Sequence, residues 1–262
     1  MNRKLKIFLI LVSILASILC VLCCLFLYQY FRGDMYHDKV EELVMSSGAA
    51  PDPSPAASAS GSQEELPQFP AIGFSSLWEI NEEIYAWIEV PGTSISYAVV
   101  QSASDDLFYN THNIDKSYYT GGSIYSQRYN AKDFQDPVTV LYGHNRKTKT
   151  MFAQVNDFYD QDFFDAHPYI YIYTPEAVYE YQIFAAYPHS SEHLLLCHDF
   201  SDEEQFNAYF SGLSDTIDSN YRRELFPSFG DKVLTLSTCY RSNRLQRYLV
   251  QGVLTAEYPV TQ

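Results

Sequence analysis

Residues 233–254 read Val-Leu-Thr-Leu-Ser-Thr-Cys-Tyr-Arg-Ser-Asn-Arg-Leu-Gln-Arg-Tyr-Leu-Val-Gln-Gly-Val-Leu. Two runs rich in β-branched and apolar residues, 233–238 and 248–254, flank a short polar connection, the pattern of strand, loop and strand. Cys239 stands where the first strand ends and Arg247 where the second begins. A thiol at a strand end is held on rigid scaffold yet open to a substrate, as a nucleophile needs to be. A guanidinium nearby favours thiolate or stabilises an oxyanion. The plain alternative is that a lone Cys in a strand is a small buried hydrophobe, so the rest of the chain has to decide.

The chain has 262 residues, enough for one large domain or two small ones, and is rich in aromatics, with 23 Tyr and 17 Phe. A formal net charge of −15 argues against nucleic acid as a partner. Arg3, Lys4 and Lys6 precede the uncharged run Ile7 to Tyr28. As a helix that run spans roughly 33 Å, enough to cross a hydrocarbon core. The basic flank places residues 1–6 in the cytoplasm and the remainder outside. No small-x-small cleavage site follows, so 7–28 reads as an uncleaved, single-pass signal anchor in the cell membrane. Of five Cys, three lie inside this span, leaving Cys197 and Cys239 outside it. Both are expected to be free thiols, because a secreted disulfide framework uses more.

Residues 29–68 read as a juxtamembrane segment, helical at first, followed by a Ser/Pro/Ala-rich linker that acts as a stalk. The folded domain is expected over 69–262. Ser75 or Ser76 is placed as the N-cap of a short helix running to about Ile84. Strands are expected at 87–90 and 95–100 around Pro91-Gly92-Thr93, then at 122–125, 138–142, 170–174 and 178–187. Short helical pieces fall at 151–159 and 161–166. Such spacing points to a mainly β barrel or sandwich. The interval between Tyr187 and Val233 is long for a connection, and Phe206, Tyr209, Phe210 and Leu213 recur in it at helical spacing, with Ser201 as N-cap.

The second chemical signal is Val-Leu-Tyr-Gly-His-Asn at 140–145. His144 follows an apolar strand and a Gly, the same kind of position as Cys239, whereas His37, His112 and His167 have no distinctive setting. A Cys with a separately supplied His is the minimum for thiol acyl transfer. Ser237, two residues before Cys239, shares its strand face, where it either hydrogen-bonds substrate or serves structure.

These residues resemble a known family. Thr-Leu-Ser-Thr-Cys at 235–239, Tyr-Gly-His-Asn at 142–145 and the strand opening on Arg247 are similar to the signature of sortases, the membrane-anchored transpeptidases of Gram-positive bacteria. Residues 80–101, Gly-Ser-Ile-Tyr at 122–125 and Met151-Phe152 follow in the same order. Ala98, and Ser126-Gln127 after Tyr125, depart from the common pattern. The wording before Cys239, the helix-bearing excursion and the N-terminal helix resemble class B. The resemblance implies a closed eight-stranded β-barrel with an N-terminal helix and a helix before the Cys-bearing strand. It implies cleavage of a C-terminal sorting signal after Thr, with Cys239 as nucleophile, His144 as proton donor and Arg247 as oxyanion donor. The acyl group then passes from a thioacyl intermediate to an amine of a peptidoglycan precursor, without cofactor or metal.

Three other readings stay open. His189, His193, Cys197 and His198 are ligand types at spacings zinc can use. A non-catalytic surface binding module would also carry many aromatics. A plain cysteine peptidase differs only in using water as acyl acceptor.

Overall fold

The computed structural model describes residues 3–47, 69–215 and 219–260. Nine strands make one sheet: β1 (Ile84–Glu89), β2 (Ser96–Val100), β3 (Ile124–Tyr125), β4 (Val138–Tyr142), β5 (Tyr169–Tyr173), β6 (Ala177–His189), β7 (Asn220–Tyr221), β8 (Val233–Cys239) and β9 (Arg247–Pro259). Their order is β5-β1-β2-β3-β4-β8-β9-β6-β7, and β5 also pairs with β6. That last pairing closes eight strands into a barrel and leaves β7 appended to β6. The expected closed eight-stranded barrel is the fold.

Period-two alternation fills it. Leu234 and Leu236 of β8 meet Tyr248 and Val250 of β9, Leu141 of β4 and Ile172 of β5 in one buried interior. The opposite face of the same strands carries Val233, Leu249 and Val140, and these are covered from outside. The cover comes from residues 190–215 and 219–232 of the long excursion. It holds α4 (Leu194–Cys197) and α5 (Glu203–Gly212), numbered after the helices α1 (Arg3–Ser47), α2 (Phe74–Ile80) and α3 (Gln161–Ala166). Phe206 and Phe210 of α5 pack on Phe184, Phe200 and Leu249. A buried polar chain adds direction to this packing. Tyr187 donates to Gln251 Oε1 at 2.9 Å, Gln251 Nε2 donates to Thr235 Oγ1 at 3.0 Å, and the Tyr187 and Tyr209 hydroxyls meet at 2.5 Å.

Both expected caps move. Gly73 is the N-cap of α2, without a side-chain bond, and Ser75 and Ser76 lie inside the helix. The helix stops at Ile80 because Asn81 turns extended and sends its amide to Tyr109 Oη at 2.6 Å and Ile114 O at 2.8 Å. On α5 the cap is Asp202, whose carboxylate accepts from Gln205 N at 2.9 Å; Ser201 is occupied by Asp199. A carboxylate at a helix N-terminus also meets the positive end of the dipole, which a hydroxyl does not. The piece expected at 151–159 is a 3₁₀ helix, Phe152–Tyr159, entered through Met151 at φ +57°.

Helix α1 is apolar and long enough to cross a membrane over Arg3–Tyr28. Beyond that it continues without a break to Ser47. In this part, expected from the sequence as a helix leaving the membrane, Val40 and Val44 are buried against Phe74 and Leu77 of α2 and Ala98 and Val100 of β2. His37 meets the Tyr97 ring edge-on, centroids 5.4 Å apart. The end of α1 is therefore packed on the barrel wall. The linker is expected from Ser46 to Gln68; Ser46 and Ser47 end α1, and residues 48–68 lie outside the described residues.

Candidate active site

The hairpin β8–β9 places the two groups singled out first. Cys239 and Arg247 are register partners at its loop end, so guanidinium and thiol face each other by sheet pairing and not by loop conformation. Arg247 Nη1 donates to Cys239 Sγ at 2.9 Å. Just beyond the pair, Tyr240 N donates to Gln246 O at 3.0 Å and closes the connecting loop. β6 pairs on the other side of β9, with His189 opposite Arg247.

His144 arrives on the neighbouring strand. β4 runs parallel to β8 with Tyr142 opposite Ser237, and Gly143 N continues the ladder to Ser237 O at 3.2 Å. Thr238 Oγ1 then donates to Gly143 O at 2.7 Å. Gly143 has to be Gly: a Cβ there would lie 2.5 Å from Ile124 Cδ1 and 2.7 Å from Phe152 Cγ. The ring of His144 is held by Nε2, 2.8 Å from Asn110 O. A carbonyl only accepts, so Nε2 carries the proton and Nδ1 is the nitrogen left to exchange one. Gly122 supports this loop from behind at φ +59°, since a Cβ there would meet Tyr109 O at 2.6 Å and Asn110 O at 2.7 Å.

His144, Cys239, Arg247 and Ser237 border one cleft of about 60 Å³, floored by Tyr125 and Tyr142. The two tyrosine rings stack at 5.5 Å. Burial pushes the Tyr125 hydroxyl up to about 12, against a smaller lowering by Arg247, and burial also raises Tyr142. Both are therefore neutral donors at physiological pH. The cleft continues into a larger cavity of about 330 Å³, which shares Asn110, Tyr125, Tyr142, Ser237 and Arg247 with it and adds Leu107, His193 and Leu249.

Three asparagines complete the frame, and pattern reading gave none of them a role. Asn145 Nδ2 and Asn156 Nδ2 both donate to Cys239 O, at 3.0 and 3.1 Å, and Asn156 Oδ1 accepts from Arg241 N at 2.7 Å. Asn110 supplies the carbonyl that fixes His144. Asn145 sits inside the quoted 140–145 motif; Asn110 and Asn156 carry no local signal. The four residues with metal-ligand spacing are divided: His189 and His193 line the larger cavity, while Cys197 and His198 line a different one. His193 meets Gln127 Oε1 at 2.5 Å, which gives Gln127 a place on the cavity wall. Neither Cys197 nor Cys239 is in a disulfide.

Residues 88–255 match the family model described as the sortase domain. The chain is 30% identical over 183 residues to a sortase B of Listeria monocytogenes, covering 69% of this chain and 73% of that protein. The structure is similar to sortase B of Bacillus anthracis, with TM-score 0.68 and 25% identity, covering 87% of this chain and 99% of the other. It is also similar to a Staphylococcus aureus sortase B–substrate complex, with TM-score 0.62 and 26% identity over 70% and 84% of the two chains.

Proposed function

The chain belongs to the sortase family as a class B cysteine transpeptidase, and from that membership we propose that it cuts a C-terminal sorting signal after Thr and transfers the acyl group to an amine of a peptidoglycan precursor. The observation that carries the reading is the Arg247 guanidinium donating to Cys239 Sγ at 2.9 Å, with His144 on the same cleft. That contact fixes the Sγ atom beside a guanidinium held in place by sheet pairing. Cys239 Sγ attacks the Thr carbonyl carbon, the carbon–sulfur bond forms, and the scissile carbon–nitrogen bond breaks. The departing amine takes from His144 Nδ1 the proton that the Cys239 thiol gave up to that nitrogen when it became the nucleophile. In the second half an incoming amine attacks the thioester, His144 recovers a proton from it, and Cys239 leaves as thiolate. Arg247 has further N–H groups to offer the oxyanion of each tetrahedral intermediate.

The donor peptide is assigned to the cavity of about 330 Å³, whose Tyr125, Tyr142, Leu107 and Leu249 give a mixed apolar and hydrogen-bonding wall. That one of the similar structures is a substrate complex supports a sorting signal as ligand. Helix α1 over Arg3–Tyr28 supports a membrane anchor, with residues 1–6 cytoplasmic and the barrel outside.

The test is to incubate the full chain in micelles with a library of x-Pro-x-Thr-x peptides and an amine, and to weigh the protein. A thioacyl adduct on Cys239 and an aminolysis product are expected; Cys239→Ala gives neither, and Cys197→Ala retains both. Turnover by Cys239→Ala would sink the assignment, and hydrolysis alone in the presence of every amine would sink the transferase half of it.

A further inference from the structure

Strand β3 ends at Tyr125, and the two residues after it continue its alternation. Ser126 N donates to Val100 O at 3.1 Å, and the Ser126 hydroxyl turns into the barrel to meet that of Tyr85 at 2.7 Å. Tyr125 and Gln127 therefore share the opposite face, and both line the cavity of about 330 Å³. Tyr125 also borders the cleft with Cys239, and Gln127 does not. Gln127 thus stands farther out along the donor's path, by about 7 Å for two residues of extended chain. Its segment is held firmly. Gln127 O accepts from Gln101 Nε2 at 3.1 Å, and Arg128 grips Asp106 through Nε at 3.0 Å and Nη2 at 3.1 Å. Gln127 is also one of the positions at which the sequence departs from the common sortase pattern.

One hydrogen bond sets which end of the Gln127 amide meets the cavity. His193 Nε2 lies 2.5 Å from Gln127 Oε1, and His193 Nδ1 is sealed from solvent with no partner. A buried N–H without an acceptor is rarer and costlier than a buried lone pair without a donor. The proton therefore belongs on Nε2, which donates to Gln127 Oε1. Burial holds His193 below the usual histidine value, against a smaller pull upward by Asp106, and so favours the neutral ring that this arrangement needs. The ring is packed against Tyr129 and Tyr142, with centroids 5.1 and 6.3 Å away. With Oε1 taken, the amide presents Nε2, which donates only. Among the described residues that group has no partner, and it is not sealed from solvent.

We propose that Gln127 is a donor-binding residue whose Nε2 donates to a backbone carbonyl of the sorting signal upstream of the Thr, and that His193 is the positioning residue that orients its amide. The inference rests on the transpeptidase reading above, and deepens it by one recognition contact. With the Thr carbonyl at Cys239, an extended peptide running past Tyr125 rises about 3.3 Å per residue. It brings a carbonyl two or three residues before the scissile one to Gln127. Every residue supplies such a carbonyl, so the contact sets the register of the peptide and leaves the choice of side chains to the cavity walls. It is made equally before and during acyl transfer, and therefore acts on donor affinity and not on the chemical step.

The experiment uses the full chain in micelles with Cys239→Ala, so that binding is read without turnover. The x-Pro-x-Thr-x peptide that binds it most tightly is remade three times, with a trans alkene in place of each of the three peptide bonds before the Thr in turn. One alkene is expected to weaken binding roughly three- to tenfold, the worth of one hydrogen bond, and to cost nothing further when Gln127→Glu or Gln127→Leu is added. Gln127→Glu keeps an acceptor for His193 and the length of the side chain but offers no donor, so it separates the contact from any loss of folding in Gln127→Leu. His193→Leu should erase most of the same alkene effect, and His193→Gln, which restores an amide donor, should recover part of it. The proposal is overturned if no alkene effect depends on Gln127, if Gln127→Glu leaves the affinity for the unmodified peptide unchanged, or if no peptide of this form binds. The transpeptidase reading is judged separately, by the thioacyl adduct that the same peptide forms on the chain with Cys239 intact. Absence of that adduct counts against that reading, while the affinities still judge Gln127.

Discussion

Arg247 is one of three arginines within seven residues of the chain, and only sheet pairing separates it from the others. Arg244 lies in the open loop, Arg241 bonds Asp157, and Arg247 alone opens β9 opposite Cys239. Its position is fixed before substrate arrives, so it can meet a developing oxyanion without reorganising. Arg247→Ala is therefore expected to slow single-turnover acylation by about 10²–10³, and Arg247→Lys to recover part of that loss, since Lys keeps the charge but lacks the planar fork. Near-normal acylation by Arg247→Ala would remove it from the mechanism. At this scale the sequence was legible where the signal is local: a Cys at the end of 233–239 and a His just after 138–142. It was silent on Asn156, which reaches Cys239 across 83 positions. An isolated Asn gives no periodicity and no spacing from which such a bond can be read.

Among elements, β4 falls on the expected 138–142, because five buried or half-buried residues bounded by Pro and Gly leave little choice. Helix ends were less legible. Ser201 and Asp202 are both good caps, and choosing between them needs the Ser201–Asp199 bond, which exists only once the turn has formed. The strongest element-level tie is the Thr235–Gln251–Tyr187–Tyr209 chain, which joins β8, β9 and β6 to α5 where the excursion covers the barrel. Gln251 is fully buried. Gln251→Leu strands the Thr235 hydroxyl and leaves that of Tyr187 with Tyr209 alone, and is expected to destabilise the fold by about 1–3 kcal/mol, measured as a lower urea midpoint with unchanged slope. A neutral effect would mean those hydroxyls find other partners.

The whole molecule carries an alkaline limit. Burial raises the hydroxyl of Tyr125 to about 12, and burial likewise takes Tyr209 to about 12, from the usual 10. The folded state prefers these rings neutral. Their contribution is complete below pH 10, where both states are protonated, and is lost as pH rises from about 10 to 12, because the unfolded chain ionises first. Stability should fall steeply across that window, and the share of tyrosinate absorbance that belongs to the buried rings should appear only with unfolding. Full ionisation at pH 10 in a folded protein would contradict this. Helix α1 has a consequence of another kind for the molecule as a whole. From Tyr28 to Val40 and Val44 it is one unbroken helix, and at about 1.5 Å per residue those contacts stand roughly 18 and 24 Å along its axis. In the proposed topology the barrel is therefore seated on the end of this helix, which sets its height. The nucleophile then works within a thin layer above the bilayer. A sorting signal is within range only when its own position along the membrane normal brings the Thr bond into that layer, so altitude becomes a criterion of substrate choice alongside sequence.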